Sequence, residues 1–145
     1  MQQYPPFEFR EHTADVLVVA YGKSLEELFE NAALAVFEII TDTSRIENKI
    51  RKNIKSDGID LENLLYRWIE DLLFYFDSEG IVFGKFKVYE IKKNNGSFIL
   101  KAEALGEEFD PEKHESRTIV KAITYAQMKI TRINDLWKAT FVVDI

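Results

Sequence analysis

The sequence predicts an α+β domain, in which two long helices lie on one face of a largely antiparallel or mixed β-sheet. Two segments repeat apolar residues at helical spacing, and the other apolar segments are typical of strands. Their order, β-β-α-β-α-β-β-β-β, does not alternate as in a doubly wound sheet, so both helices fall on one side. With 145 residues, of which 46% are hydrophobic, we expect one domain over residues 1–145. Residues 44–92 are a candidate inserted βαβ lobe of that domain.

The first two strands are predicted within residues 7–20. Pro5 and Pro6 keep the chain before them extended, because proline fixes φ and disfavours helix in the preceding residue. Residues 7–20 are rich in strand-forming side chains, and the polar stretch 10–15 interrupts them. We therefore predict two short strands joined by that stretch.

Both helices carry start signals. Ser24 and Glu27 have the spacing of a capping box, which predicts a helix from about Leu25 to Thr41. Asp60 is a good N-cap for a second helix that ends near Asp77, before Gly80. The apolar faces are formed by Leu25, Leu28, Phe29, Ala32, Ala33, Val36, Phe37 and Ile40 in the first helix, and by Leu61, Leu64, Leu65, Trp68, Ile69, Leu72, Leu73 and Phe76 in the second.

Residues 44–57 are ambiguous. Ile46, Ile50 and Ile54 are four apart, which fits one stripe of a helix and equally one face of a strand. No start or stop signal decides between them. We predict a strand, because a strand between two helices packs more simply.

The rest of the chain is typical of strands. Residues 81–92 and 97–104 flank Asn95-Gly96, a strong signal for a type I′ hairpin turn. Residues 106–116 are predicted to be a charged, solvated loop, with His114 exposed. Two further strands, at about 119–132 and 137–144, are joined by a turn at 133–135.

Composition excludes several classes of function. The formal charge is −6, from 19 basic and 25 acidic residues, which argues against a stand-alone nucleic-acid binder. The absence of cysteine excludes disulfides, thiolate zinc sites and cysteine nucleophiles, and suits a reducing cytosol. No apolar run reaches the roughly 18 residues of a spanning helix, so no membrane association is expected, and the first residues are not typical of a signal peptide.

Acids at the ends of apolar strands are the unusual feature. The chain has no phosphate-binding glycine loop or nucleophile elbow, and its two histidines cannot form a multi-histidine metal site. Asp15 and Asp144 each end an apolar, strand-like run, and the α-carboxylate of Ile145 follows. Carboxylates there are costly unless their charge is offset, and sharing a hard cation is one way to do so.

Ordinary structural roles are open for each candidate. Asp15 also fits a turn cap and Asp144 a solvated strand end. His12 fits a hydrogen-bonded packing residue, and Lys121 a cation at a sheet edge. The acids of the 106–116 loop fit solvated residues: Glu107, Glu108, Asp110, Glu112 and Glu115. The two tryptophans, Trp68 and Trp137, fit core residues.

The chain resembles the archease family over nearly its whole length. The resemblance lies in motifs that occur in the same order along the chain. One position differs from the family pattern: many members carry histidine where this chain has Ala126. The motifs are Glu11-His12-Thr13-Ala14-Asp15, Tyr21-Gly22-Lys23-Ser24-Leu25-Glu26-Glu27-Leu28-Phe29, Gly106-Glu107 with Asp110 and His114, Val120-Lys121-Ala122-Ile123-Thr124-Tyr125, Trp137-Lys138-Ala139 and Val143-Asp144-Ile145.

The resemblance implies an accessory protein of the RtcB-type RNA ligase, which joins tRNA halves during splicing. Archeases promote guanylylation and multiple turnover of that ligase, so this chain is expected to be an activator in the cytoplasm, not an enzyme, and to meet tRNA only through the ligase. The family's divalent-metal site, with calcium expected and magnesium or manganese as alternatives, falls on Asp15, Asp144 and Ile145. Lys121 is the implied contact to phosphate or to the ligase.

Two other functions are weighed against the activator. A metal-dependent phosphohydrolase requires a pocket and usually more ligands than two acids and a terminal carboxylate. A metal-free, chaperone-like interaction module requires only a sheet edge or an apolar patch.

Overall fold

Seven strands and two helices follow one another in the predicted order in the computed structural model, which describes residues 4–11 and 14–145. Each predicted helix and strand is present, with boundaries shifted by a few residues. The elements are β1 (Phe7–Glu11), β2 (Asp15–Gly22), α1 (Leu25–Ile40), a 3-10 turn (Thr43–Arg45), β3 (Ile50–Gly58), α2 (Leu61–Glu79), β4 (Ile81–Asn94), β5 (Ser97–Glu108), β6 (Ala122–Ile133) and β7 (Leu136–Asp144).

The strands form two antiparallel sheets. One has four strands in the order β1-β2-β7-β6, and the other has three in the order β3-β5-β4. The predicted α+β class is confirmed, and the strands divide between two sheets instead of forming one. This division follows from pairing between strands far apart in the chain, because β7 lies between β2 and β6 while β5 lies between β3 and β4.

The predicted caps hold both helices. The Ser24 hydroxyl accepts the Glu27 amide at 3.1 Å, and the Asp60 carboxylate accepts the Asn63 amide at 2.7 Å. Each bond satisfies an amide that lacks a partner within the helix. Gly80 ends α2 in the left-handed conformation, with φ of 67°, which glycine adopts at little steric cost.

The ambiguous segment contains both a turn and a strand. The 3-10 turn is followed by an extended stretch, and β3 then pairs with β5 from Ile50 to Gly58. Ile54 is buried, as expected for an apolar residue on the inner face of a strand. The candidate lobe at residues 44–92 holds β3, α2 and most of β4, while β5, which pairs with both strands, lies outside it; the lobe stays a prediction.

The hydrophobic core lies between the helices and the sheets. Trp68 of α2 is fully buried, and its indole N–H donates to the Phe29 carbonyl of α1 at 2.9 Å. Trp68 is thus a core residue as predicted, and Trp137 is partly buried against the core. The largest fully buried side chains are Trp68, Phe29, Phe37, Phe83, Phe141, Leu28, Leu64, Leu65, Ile69, Leu72, Ile81 and Leu100.

Two local features shape the sheets near the predicted turns. Asn95 and Gly96 both have positive φ, at 51° and 83°, as the predicted type I′ turn requires. β6 has an irregularity between Thr124 and Lys129, within which Ala126 is exposed.

Neither helix of the described ranges is long and apolar enough to cross a membrane.

Candidate metal site at one end of the four-stranded sheet

Two carboxylates meet where β2 begins and β7 ends. Asp15 and Asp144 are register partners in the antiparallel β2–β7 pair. Directly opposed residues of such a pair extend from the same face, with their Cβ atoms roughly 4.5–5.5 Å apart. The structure therefore brings together the two acids that end apolar runs in the sequence.

Both carboxylates extend from the sheet face opposite the one that packs on α1. Their chain neighbours Val16 and Val143 pack with the hydrophobic core, and α1 contacts both β2 and β7. Because side chains alternate along a strand, Asp15 and Asp144 lie on the other face. Asp144 is exposed, whereas Asp15 is half-buried and its Oδ1 is shielded from solvent.

Ile145 lies at the same strand end. Its amide donates to the Ala14 carbonyl at 3.3 Å, so the chain stays beside the start of β2 after β7 ends. Its side chain packs against the core, which holds this residue in place. Ile145 is thereby held at the end of the sheet where Asp15 and Asp144 are opposed.

Lys121 joins this strand end through its backbone. Its amide donates to the Asp144 carbonyl at 2.8 Å, and the next residue, Ala122, is the register partner of Asp144. The Lys121 side chain is exposed and lines a groove between α2 and the start of β6. All four candidate residues therefore lie within one strand end, formed by β2, β7 and β6.

The two opposed carboxylates carry like charges. Like charges placed directly opposite each other in a sheet are destabilising, and partial burial of Asp15 adds to that cost. Among residues 4–11 and 14–145, no three His, Cys, Asp or Glu side chains are grouped to hold a metal ion. The candidate donor set stays the predicted one, the carboxylates of Asp15, Asp144 and Ile145. Oxygen donors of this kind fit calcium or magnesium better than softer metals.

Two predictions near this site have different outcomes. His12 lies outside the described residues, so its predicted packing role stays a prediction. The solvated-loop prediction for residues 106–116 is wrong in part. Glu107 still belongs to β5 and is buried, and His114 is buried as well, not exposed.

A hydrogen-bond network explains the burial of Glu107 and His114. The Glu107 carboxylate accepts the Glu47 amide at 2.6 Å, the Lys113 ammonium at 2.8 and 2.9 Å, and lies 3.1 Å from Nε2 of His114. Burial by itself would raise the pKa of Glu107, but the bonds from Lys113, the Glu47 amide and His114 outweigh it and lower the pKa to about 2. Glu107 is therefore ionised at neutral pH and fully engaged, which makes it a structural residue.

The segment between β5 and β6 is anchored at a second point. Arg117 donates to the Glu38 carbonyl at 2.8 Å and to its carboxylate at 2.7 Å. The amides of Arg117 and Thr118 donate to the Ile40 and Ile39 carbonyls, at 3.1 and 3.2 Å. These bonds satisfy carbonyls at the end of α1 that lack a helical partner, and they fix the segment that leads to Lys121.

Comparison with known proteins gives a consistent family assignment. A model described as "Archease protein family (MTH1598/TM1083)" matches residues 7–145. The protein archease of Aeropyrum pernix is 61% identical over 135 residues, which cover 93% of this chain and 94% of that protein. The protein archease of Pyrococcus furiosus is 51% identical over 140 residues, which cover 96% of this chain and 98% of that protein.

Solved structures resemble this fold as well. The solution structure of protein 1598 from Methanobacterium thermoautotrophicum has a TM-score of 0.85 and 44% sequence identity, and it covers 97% of this chain and 99% of its own. The crystal structure of an archease described as a possible chaperone, from Thermotoga maritima, has a TM-score of 0.59 at 24% identity, covering 100% of this chain and 98% of its own. The second likeness is one of fold alone.

Proposed function

The chain belongs to the archease family, and on that premise we propose that it is an accessory activator of an RtcB-type RNA ligase in tRNA splicing. In this role it promotes guanylylation and multiple turnover of the ligase through an acidic divalent-metal site. The protein itself carries out no covalent step. It meets tRNA only through the ligase, and it acts in the cytoplasm.

The observation that carries this proposal is the opposition of Asp15 and Asp144 across β2 and β7. Two like charges in one register position are an unfavourable choice for stability alone. They fit a site whose charge is offset by a cation held by Asp15, Asp144 and the α-carboxylate of Ile145. Calcium is the expected cation, and magnesium or manganese is the alternative that the same oxygen ligands accept.

The chain's own residues contribute position and charge. The strand end presents Asp144 at the surface, with Asp15 half-buried opposite it, where a partner enzyme can approach. The net charge of −6 steers the protein toward a basic, RNA-binding enzyme and raises the encounter rate. Lys121, next to Asp144, is placed to contact a phosphate or the ligase surface. A divalent cation held here supplies neutralisation of phosphate charge, which assists nucleotidyl transfer.

The test is a guanylylation and ligation assay with a purified RtcB-type ligase. Single-turnover guanylylation and multiple-turnover ligation are measured at limiting ligase, with and without the protein. We expect the parent protein to accelerate both. Asp15→Asn and Asp144→Asn should lower the guanylylation rate about tenfold or more, the scale on which metal sites respond to loss of their supporting groups.

A matched control removes the same charge elsewhere. Asp135 is exposed in the turn between β6 and β7, and Asp135→Asn should activate like the parent. Equal rates for Asp144→Asn and Asp135→Asn would exclude the carboxylate site as the origin of activation. Hydrolysis of phosphate esters by the isolated protein would favour the phosphohydrolase instead, and activation indifferent to chelator would favour the metal-free module.

A further inference from the structure

A groove opens directly beside the candidate metal site. It has a volume of about 450 Å³ and lies between α2 and the residues that begin β6. Its position is fixed by Lys121 and Ala122, which line it and also contact Asp144 through the 2.8 Å hydrogen bond and the strand register. A molecule bound in the groove therefore ends next to the opposed carboxylates.

One wall of the groove is a single stripe of α2. Tyr66, Glu70, Phe74 and Asp77 recur at spacings of four, four and three, which places them on one helix face. Phe74 is 61% exposed, an unusual position for a large aromatic ring, and Glu70 and Asp77 are exposed beside it. Tyr66 packs partly against the core, whereas Glu70, Phe74 and Asp77 are exposed and available to a partner.

The other wall is an edge strand. β6 is the last strand in the order β1-β2-β7-β6, and no described strand pairs with its outer edge. Further along, α2 covers this edge: Tyr125 stacks on Tyr66 with ring centroids 4.2 Å apart, and Glu62 accepts the Ile130 amide at 3.3 Å. At residues 121–123 the groove intervenes instead. An open strand edge of this kind can add an extended chain as a further strand.

The acidic side chains that line the groove favour a basic occupant. Glu70, Asp71 and Asp77 line it, against the single cation Lys121. Asp71 accepts a hydrogen bond from the Ser56 hydroxyl at 2.5 Å, whereas neither Glu70 nor Asp77 forms an ion pair with any residue in the described part of the chain. Two carboxylates on either side of an exposed ring complement a segment with basic side chains flanking an apolar one.

We propose that this groove docks an extended, basic segment of the partner protein, which adds to the outer edge of β6. Its Lys or Arg side chains pair with Glu70 and Asp77, and an apolar side chain between them packs on Phe74. The proposal rests on the proposed function for the identity of the partner, the ligase. Docking here holds that partner next to Asp15 and Asp144, so the groove supplies affinity while the carboxylates supply activation.

A peptide binding assay tests the groove without the ligase. The probes are two fluorescein-labelled octapeptides, one alternating Lys with Val and the other alternating Glu with Val. The parent protein should bind the Lys-Val peptide at low ionic strength, and it should bind at least tenfold more weakly in 0.5 M salt, because screening shortens the range of the ion pairs. The Glu-Val peptide should not bind.

The decisive variant is Glu70→Lys with Asp77→Lys. It should weaken Lys-Val peptide binding at least tenfold, and Phe74→Ala should weaken it severalfold without changing the charge. The matched control, Glu112→Lys with Asp135→Lys, makes the same change in charge at two exposed acids outside the groove and should bind within twofold of the parent. Circular dichroism establishes that each variant is folded. Equal binding by the groove and control variants would overturn the proposal, as would tight binding of both peptides.

The ligase then separates this inference from the proposed function. The groove variant should raise at least tenfold the protein concentration that gives half-maximal guanylylation, and Asp144→Asn should lose activation while it keeps peptide binding. If neither the parent nor any variant activates the ligase, the proposed function fails. Peptide binding then still shows whether the groove docks a basic segment. If the groove variant reaches half-maximal guanylylation at the same protein concentration as the parent, the groove is not where the ligase docks.

Discussion

Nε2 of His114 lies 3.1 Å from the Glu107 carboxylate, with the histidine side chain fully shielded from solvent. Nδ1 of the same ring accepts the Asp110 amide at 2.9 Å. Because Nδ1 is an acceptor, the proton lies on Nε2, and His114 is the donor to Glu107. This neutral ring joins β5 to the segment that leads to Lys121, so it positions one part of the candidate site from a distance.

Glu107 makes the stability of the fold depend on pH in the acid range. Its pKa in the folded protein is about 2, below the ordinary 4.5, so its ionised form stabilises the fold above pH 4.5. That contribution is lost progressively as the pH falls from 4.5 toward 2. We expect Glu107→Gln to lower the free energy of unfolding at pH 7 by roughly 2 kcal/mol, because Lys113, the Glu47 amide and the buried His114 ring lose a charged acceptor.

Urea denaturation at pH 7 and at pH 3 measures this effect. The difference between parent and Glu107→Gln should shrink at pH 3, where the parent has lost most of the same stabilisation. Glu112→Gln, at an exposed position of the neighbouring loop, is the control and should match the parent at both values. A difference for Glu107→Gln that is the same at pH 3 and pH 7 would contradict the assigned pKa.

Gly106 should not tolerate any side chain. A Cβ at this position of β5 would lie 1.9 Å from the Val82 carbonyl oxygen and 2.8 Å from the Phe83 Cα. Because both atoms belong to the paired backbone of β4, neither moves without breaking the ladder. We expect Gly106→Ala to destabilise the fold by at least about 3 kcal/mol, measured by thermal or urea denaturation.

Gly96 provides the comparison for Gly106→Ala. No atom lies within 4 Å of a Cβ there, and the strain comes only from its φ of 83°. Gly96→Ala should therefore cost only about 1 kcal/mol, the order of the penalty for left-handed backbone. A cost for Gly106→Ala no larger than that for Gly96→Ala would mean that β4 and β5 are not paired in this register.

A cation held by Asp15 and Asp144 should stabilise the fold. A ligand at 100 times its Kd adds about 2.7 kcal/mol to the free energy of unfolding when it binds only the folded state. Calcium should therefore raise the thermal midpoint of the parent, and chelator should reverse the change. Asp144→Asn should lose this response and Asp135→Asn should keep it; a full calcium response in Asp144→Asn would rule out the proposed ligand set.

The α-carboxylate of Ile145 is tested by adding a glycine after it. The new peptide bond removes the charge at Ile145 and moves the carboxylate one residue further from Ala14. We expect calcium affinity, measured by isothermal titration calorimetry, to fall about tenfold, the loss typical of disturbed metal sites. The thermal midpoint without calcium should stay the same, since the Ile145 amide keeps its bond to Ala14. An unchanged calcium affinity would leave only Asp15 and Asp144 as ligands.

Most of the element order was predictable because its signals are local. Ser24 and Asp60 cap their helices as predicted, and Asn95-Gly96 forms its turn because the required φ is a property of those two residues. The division into two sheets was not predictable. It depends on β7 choosing β2 and β6 as neighbours, and apolar alternation is the same whichever strand is the partner.

The site shows the same limit. Asp15 and Asp144 stood out because each carboxylate ends an apolar strand, and the register places them opposite each other. The burial of Glu107 and His114 was not predicted. A charged local sequence does not reveal the contacts from Lys113 and Glu47 that offset the cost of burying the Glu107 carboxylate. The α2 stripe beside Lys121 was missed too; its spacing was visible, but its neighbour β6 is distant in sequence.

The pairing of β2 with β7 has a consequence for when the candidate site exists. Its two acids come from opposite ends of the described chain, so they meet only after nearly the whole chain has closed as a loop, the slowest kind of contact to form. Partly folded molecules that lack this contact have no paired acids to offer. The ability to hold a cation therefore depends on completion of folding. Incompletely folded molecules do not act on a partner that requires the bound cation.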